Sequence, residues 1–254
     1  MCLIVVGWHA HPDYPLIVAA NRDEFRARPA MPAHWWSEHP ELLAGRDLEA
    51  GGTWMGLTRG GRFAALTNYR DPSQRRPDAP SRGALVRDAL LATDTAGATL
   101  DAVAARSADY AGFNLLVGDG ERLGIHESMS GAVRLLDAGV YGLSNHLLDT
   151  AWPKVERARA AFAAALPSLP DERALLAALR DATMASDPHL PATGVSLEWE
   201  RLLSPAFIRA PGYGTRCSTL IRVDRAGHVH LREWTWDEDG ELRSEVTHRY
   251  RIAR

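Results

Sequence analysis

Short apolar runs alternate with turn-rich text along the whole chain. "CLIVV" (2–6) and "PLIVAAN" (15–21) are rich in β-branched residues and are joined by "HPDYP", which predicts a hairpin of buried strands whose second arm ends in "NRDE". From Arg26 to Gly51, Pro, His and Trp recur without periodicity, and this predicts a long ordered loop over the sheet end. "GGTWMGLT" and "GRFAALTN" alternate around "RGG", a second hairpin closing at Asn68. "SRGALVRDALLATD" and the alanine-rich text up to Tyr110 have helical spacing, with Ser81 as N-cap. Strands return in "FNLLVGDGERLGIHES", where "GDG" marks a hairpin, and run on to "VYGLSN". "PKVERARAAFAAAL", with Pro153 at its first position, and "DERALLAALRDA", with Asp171 as cap, predict a second helical block. The tail is β again, in "STLIRVDRAGHVHLREWTW" and "ELRSEVTHRYRI", with turns at Gly227 and Gly240.

The order strands, helices, strands, helices, strands shows no linker-like break. It predicts one α+β domain over residues 1–254, with helical layers flanking antiparallel sheets. Apolar residues make up 46% and charged residues 24% of the chain, so a large core is expected rather than disorder. A net charge of −3 with both signs interspersed gives no phosphate-tracking surface and no polybasic membrane patch, which argues against nucleic acid as a partner. No apolar run approaches the roughly 18 residues of a membrane span. There is no basic segment ahead of the first apolar run, which His9, His11 and Asp13 soon interrupt, so it does not read as a signal peptide. Two cysteines, Cys2 and Cys217, are too few for a disulfide framework and fit a reducing compartment, although one bridge between them stays open. The expected location is cytoplasmic; the oligomeric state is not fixed by the sequence.

Cys2 follows the initiator methionine directly. A cysteine heading an apolar strand is ordinarily packing material. Removal of Met1 would change its chemistry, because thiol and α-amine would then share one residue, and an amine with an ordinary pKa near 7.7 to 8.0 is suited to take a thiol proton. "NRDE" (Asn21–Glu24) reads either as a solvated strand end or as charges serving that thiol, with Arg22 lowering its pKa and Asp23 holding the amine. Adjacent Arg22 and Asp23 would point to opposite faces of an extended strand. Two strands end in Asn, at Asn68 and Asn145; the usual reason is turn chemistry, the catalytic one a donor to an oxyanion. Arg216 in "YGTRCST" is either a loop ion-pair partner or a group that meets a substrate carboxylate, and Cys217 reads as structural. "HAH" and "HVH" each set two imidazoles on one face, but no third and fourth ligands cluster nearby, so no metal site is predicted.

The blocks "MCLIV", "NRDEFRARP", "GGTWMGL", "AALTNYRDP", "SRGALV", "GFNLL", "YGLSN", "WPK" and "YGTRCSTL" together resemble the NRDE family, also called the transport and Golgi organisation protein 2 family, from residue 1 to at least residue 222. The resemblance implies a four-layer αββα sandwich like that of N-terminal nucleophile (Ntn) hydrolases, with Cys2 in the nucleophile position. The fold so implied is similar to that of the cysteine Ntn amidases acting on penicillin V and conjugated bile salts. Cys2 then matches their nucleophile, Asn145 an oxyanion-hole asparagine and Arg216 their late arginine. The chain departs from them at "NRDE", where arginine and aspartate are adjacent rather than a few residues apart.

Two readings of function follow. In the first, the chain is a cysteine hydrolase of a linear non-peptide amide: Cys2 attacks, its amine serves as base, Asn145 and Asn68 hold the oxyanion, Asp23, Arg22 and Arg216 order the site, and Asn21, Trp35, Trp36 and Trp54 contact substrate. No cofactor is required. In the second, suggested by the family's links to haem trafficking and lipid homeostasis, it is a carrier of haem or an acyl, lipid-like ligand in the same cleft. The three tryptophans would form its walls, and Cys2 or a histidine would be an axial ligand.

Overall fold

The computed structural model describes residues 2–74, 76 and 78–253. Two antiparallel seven-stranded sheets face each other. The first has the order β10-β1-β2-β12-β13-β14, with β11 beside β12. Its strands are β1 (Cys2–Trp8), β2 (Leu16–Phe25), β10 (Gly139–Leu143), β11 (Arg209–Ala210), β12 (Tyr213–Val223), β13 (His228–Trp236) and β14 (Leu242–Arg251). The second runs in chain order through β3 (Ala30–Trp35), β4 (Leu42–Asp47), β5 (Met55–Thr58), β6 (Phe63–Asn68), β7 (Phe113–Gly118), β8 (Leu123–Glu127) and β9 (Ala132–Leu135).

Each sheet is covered on both faces, which is why its central strands read as unbroken apolar runs instead of alternating. The period of two sorts them. Ile4, Val6, Val18 and Ile221 meet Leu57, Phe63, Leu116 and Ile125 between the sheets. Leu3, Val5, Ile17 and Leu220 face the other way, onto Val155 and Phe162 of α3 (Pro153–Ala165) and Leu175 and Leu179 of α4 (Arg173–Leu179). On the far side, Ala64, Leu66, Phe113 and Leu115 pack on Leu85 and Leu90 of α1 (Gly83–Leu91) and Leu100 of α2 (Ala96–Ala104). The layers are therefore α, β, β, α, as expected. Each such Leu, Ile or Phe contributes about 1.5–3 kcal/mol through burial.

The segment expected to be a loop, Arg26–Gly51, instead contains the β3–β4 hairpin. Pro32 lacks the N–H that a ladder needs, but β3 lies at the sheet edge and its pairing slips between Met31 and His34, where a missing N–H costs little. Two caps also differ by a residue. Ser81 Oγ accepts from Gly83 N at 3.3 Å while Arg82 occupies the cap of α1, and Asp171 Oδ1 accepts from Arg173 N at 3.0 Å while Glu172 occupies that of α4. A further short helix, α5 (Leu197–Leu202), is capped by Ser196. Among the described residues no helix is long and apolar enough to cross a membrane.

Candidate active site

The first strand pair sets the site. β2 does not stop at Asn21 but continues through Asn21–Glu24 to Phe25, so Cys2, at the head of β1, pairs directly with Arg22. Both residues share the parity of Ile4 and Ala20 and face the space between the sheets. There the Arg22 guanidinium lies 4.4 Å from the centre of the Trp54 ring and donates to Asp47 Oδ2 at 3.1 Å. Asp47 is held in turn by Arg28 Nε at 2.6 Å and by the backbone N–H groups of Glu49 and Ala50. Cys2 is 8% exposed and borders a void of only about 10 Å³, with Ile4, Ala20, Arg22, Trp54, Met55, Leu66 and Thr219 around it. Burial pushes the Cys2 thiol up and Asp23 adds to this, while Arg22 and the Asp23 backbone N–H pull it back.

Asp23, one residue on, faces the helix side and is fully buried. It accepts from Thr215 Oγ1 at 2.7 Å. Burial pushes its carboxyl up; Lys154, Thr215 and Arg70 oppose that. Around it lies a group of buried charges. Arg70 pairs with Glu200 at 2.9 Å, both side chains being 4% exposed, and sits 4.8 Å from the centre of the Trp152 ring. Lys154 donates to the Leu203 carbonyl at 3.1 Å. The Tyr213 hydroxyl is pushed well up by burial and by Asp23.

Asn145 follows β10, which pairs with β1 through Leu143 and Ile4, and so arrives at the level of Cys2. Ser144 Oγ donates to the Cys2 carbonyl at 3.1 Å. Asn145 is fully buried, its Nδ2 donating to the Asn68 carbonyl at 2.9 Å and its Oδ1 accepting from Ser144 Oγ at 3.3 Å. Cys2, Arg22, Asp23, Asn145 and Trp54 are thus brought together, and Asn68 joins them through its main-chain carbonyl.

The other candidates lie elsewhere or are otherwise committed. Asn21 borders the void, but its amide points to the helix side, donating to the Leu179 and Ala206 carbonyls at 2.8 Å each and accepting from Ser218 Oγ at 2.6 Å. Arg216 sits where the β12 register shifts, between Thr215 and Cys217, and its Nη1 is shared by the carbonyls of Phe25, Arg26 and Arg28. It braces the turn after β2. Trp36 is core beneath α1, its Nε1 donating to the Ala44 carbonyl at 3.1 Å. Trp35 packs on Tyr250 and Arg59. Cys217 is a free buried thiol. No group of three metal-ligating side chains occurs among the described residues.

Sequence reasoning missed Arg70, Lys154, Glu200 and Tyr213. Arg70, Lys154 and Tyr213 fall inside the blocks "TNYRDP", "WPK" and "YGTR", so those blocks were the signal; Glu200 stands in no block, and its pairing with Arg70 spans 130 positions.

Fold and site define an αββα sandwich with a buried second-residue cysteine heading a central strand. A family model described as "Transport and Golgi organisation 2" matches residues 1–238. A Bos taurus "Transport and Golgi organization protein 2 homolog" is 36% identical over 282 residues, covering 99% of each chain. The Homo sapiens homolog of that name is 35% identical and covers 92% of each. The chain belongs to the Transport and Golgi organisation 2 family. Among solved structures it is similar to a Caenorhabditis elegans N-acylethanolamine-hydrolyzing acid amidase ortholog, with 11% identity, TM-score 0.47 and coverage of 87% and 92%. Another is the C2A mutant of a Clostridium perfringens conjugated bile acid hydrolase, with 8% identity, TM-score 0.44 and coverage of 99% and 98%.

Proposed function

We propose that the protein is a cytoplasmic cysteine hydrolase of a non-peptide amide C–N bond, acting after removal of Met1. The observation that carries this reading is the convergence on Cys2 of three different groups: Arg22 in register on one face, Asp23 on the other, and the Asn145 amide at the same level. The Cys2 thiol gives its proton to its own α-amine, and the thiolate attacks the amide carbon. One N–H of Asn145 Nδ2 goes to Asn68; the second is the donor for the oxyanion. The ammonium, held by Asp23, then protonates the leaving nitrogen as the C–N bond breaks, leaving a thioester on Cys2. Water, deprotonated by the amine, attacks the thioester and releases the acid, restoring thiol and amine.

A panel of linear N-acyl amides assayed with Met1-processed protein tests this. Release of free amine by the wild type and none by Cys2→Ala is the expected result. No turnover across short and long acyl groups would overturn it.

One observation favours the carrier reading in its acyl form. A cavity of about 230 Å³ opens at the other end of the sandwich, with Trp8, Leu16, Phe63, Leu123, Val223 and Ile252 on its walls. Among the described residues no histidine or cysteine lines it, so it offers no axial ligand to haem. The void beside Cys2, about 10 Å³, is far smaller than this cavity, which approaches the roughly 300 Å³ at which ligand pockets begin. A haem titration without a saturable spectral change, together with saturable binding of a fatty acid, would select the acyl form.

A further inference from the structure

An oxyanion donor has to be aimed before the charge it serves develops, and a side-chain amide can be aimed two ways, since a half-turn exchanges its NH2 group for its oxygen. At Asn145 the partners decide which. On the nitrogen side lies an acceptor, the Asn68 carbonyl at 2.9 Å. On the oxygen side lie donors, Ser144 Oγ at 3.3 Å and Arg70 Nη2 at 3.5 Å. Ser144 has one hydroxyl hydrogen, with a nearer acceptor in the Cys2 carbonyl at 3.1 Å. The guanidinium is the donor that Asn145 Oδ1 keeps when that hydroxyl serves the main chain of Cys2.

Arg70 reaches Asn145 twice. Its main-chain N–H donates to the Asn145 carbonyl at 2.8 Å, so residues 68–70 fix the backbone and the side chain of Asn145 together. The guanidinium is itself held. Its Nη1 donates to Glu200 Oε2 at 2.9 Å, and it lies 4.8 Å from the centre of the Trp152 ring. Glu200 Oε1 accepts in turn from Thr193 N at 2.8 Å and Thr193 Oγ1 at 2.6 Å. Arg70, Glu200 and Asn145 are all buried, so the loss of one leaves its partners without water to replace it. We propose that Arg70, locked by Glu200, is a positioning residue that holds the Asn145 amide with its NH2 group toward the oxyanion. The inference rests on the nucleophile reading of Cys2 and concerns its oxyanion step. A cation on Oδ1 also draws electron density from the amide nitrogen and strengthens the N–H that meets the oxyanion.

Two probes separate this role from plain support of the fold. Iodoacetamide alkylates Cys2 by displacing iodide at a saturated carbon, and no oxyanion forms. p-Nitrophenyl acetate acylates it: the thiolate adds to the carbonyl carbon, a tetrahedral oxyanion forms, and p-nitrophenolate leaves as the thioester is made. Both rates are read at Cys2 by peptide mass on full-length, Met1-processed protein. In Asn145→Ala, acylation is expected to fall about a hundredfold against alkylation. Arg70→Met/Glu200→Gln removes the charge pair together and keeps an acceptor for Thr193. Its ratio of acylation to alkylation is expected to fall about tenfold, with no further fall when Asn145→Ala is already present. Arg70→Lys keeps the charge beside Glu200 but loses the fork that spans both partners, and a several-fold fall in the same ratio is expected. An unchanged ratio in Arg70→Lys, a parallel loss of both rates included, overturns the proposal even if the double variant does not fold. A further fall in the Asn145→Ala background overturns it too. If wild-type Cys2 reacts fast with both probes and the ratio stays fixed across the Arg70 variants, this inference fails alone. Wild-type Cys2 alkylated no faster than Cys217 would sink the nucleophile reading with it.

Discussion

Cys2 and Cys217 lie on either side of one arginine, facing the same interior. Each pairs with Arg22, Cys2 from β1 and Cys217 from β12. Two strand spacings separate them, about 10 Å, beyond the roughly 7 Å limit for a disulfide. The bridge left open by the sequence is therefore absent, and both thiols are free. What differs is the remaining neighbour. Cys217 lies against Glu233, a fully buried carboxyl held by Ala33 N at 2.8 Å and Thr219 Oγ1 at 3.0 Å, and burial with Glu233 pushes the Cys217 thiol well up. Cys2 also has an acid nearby, Asp23, that raises its thiol, but Arg22 and the Asp23 N–H pull the other way, and the cation Lys154 lies within electrostatic reach. Burial alone makes a thiol inert; the charges arranged around it decide whether it can be called into use.

Breaking the contrast at its root gives the largest effect. Cys2→Ala is expected to reduce labelling by a thiol-directed electrophile to background, read by peptide mass mapping, with Cys217 contributing nothing in its place. Arg22→Met removes the cation shared by both thiols, and Cys2 alkylation at pH 7 is expected to slow about tenfold, one pKa unit, with Asp47 still held by Arg28.

Lys154 serves only one side of the comparison. Its proton is bound more weakly in the folded chain, at about 8, than the ordinary 10.5, so between those values the unfolded chain binds more protons. The stability of wild type relative to Lys154→Met is therefore expected to rise from pH 8 to 10.5, measured by denaturant melts of both proteins. Glu233→Gln sharpens the contrast from the other side. It removes the negative charge at Cys217 while keeping an acceptor for Ala33 and Thr219, and a few-fold faster alkylation of Cys217 in mild urea is expected. Cys217→Ala is the smallest change, and the Cys2 alkylation profile should be unaltered.

The sequence made the front of the site readable and hid its back. Cys2 was marked by its position, and the period of two correctly sent Arg22 and Asp23 to opposite faces once β2 is seen to continue. Arg216 was harder, because the register shift beside it removes the parity from which its direction would be read. Trp36 looked like a cleft wall because aromatic residues in an aperiodic segment suggest a loop, whereas it stands just past an edge strand and packs under α1. Arg70, Lys154 and Glu200 meet only through folding, since α3 and α5 bring their charges to Asp23 from distant parts of the chain; no local pattern encodes that.

The central claim is that Cys2 is an N-terminal nucleophile, and intact mass tests it most directly. Protein expressed in its native host would be weighed before and after brief exposure to iodoacetamide at neutral pH. The account predicts a mass lacking Met1 and one fast adduct, absent in Cys2→Ala. A mass that retains Met1, or a Cys2 no faster than Cys217, would contradict it.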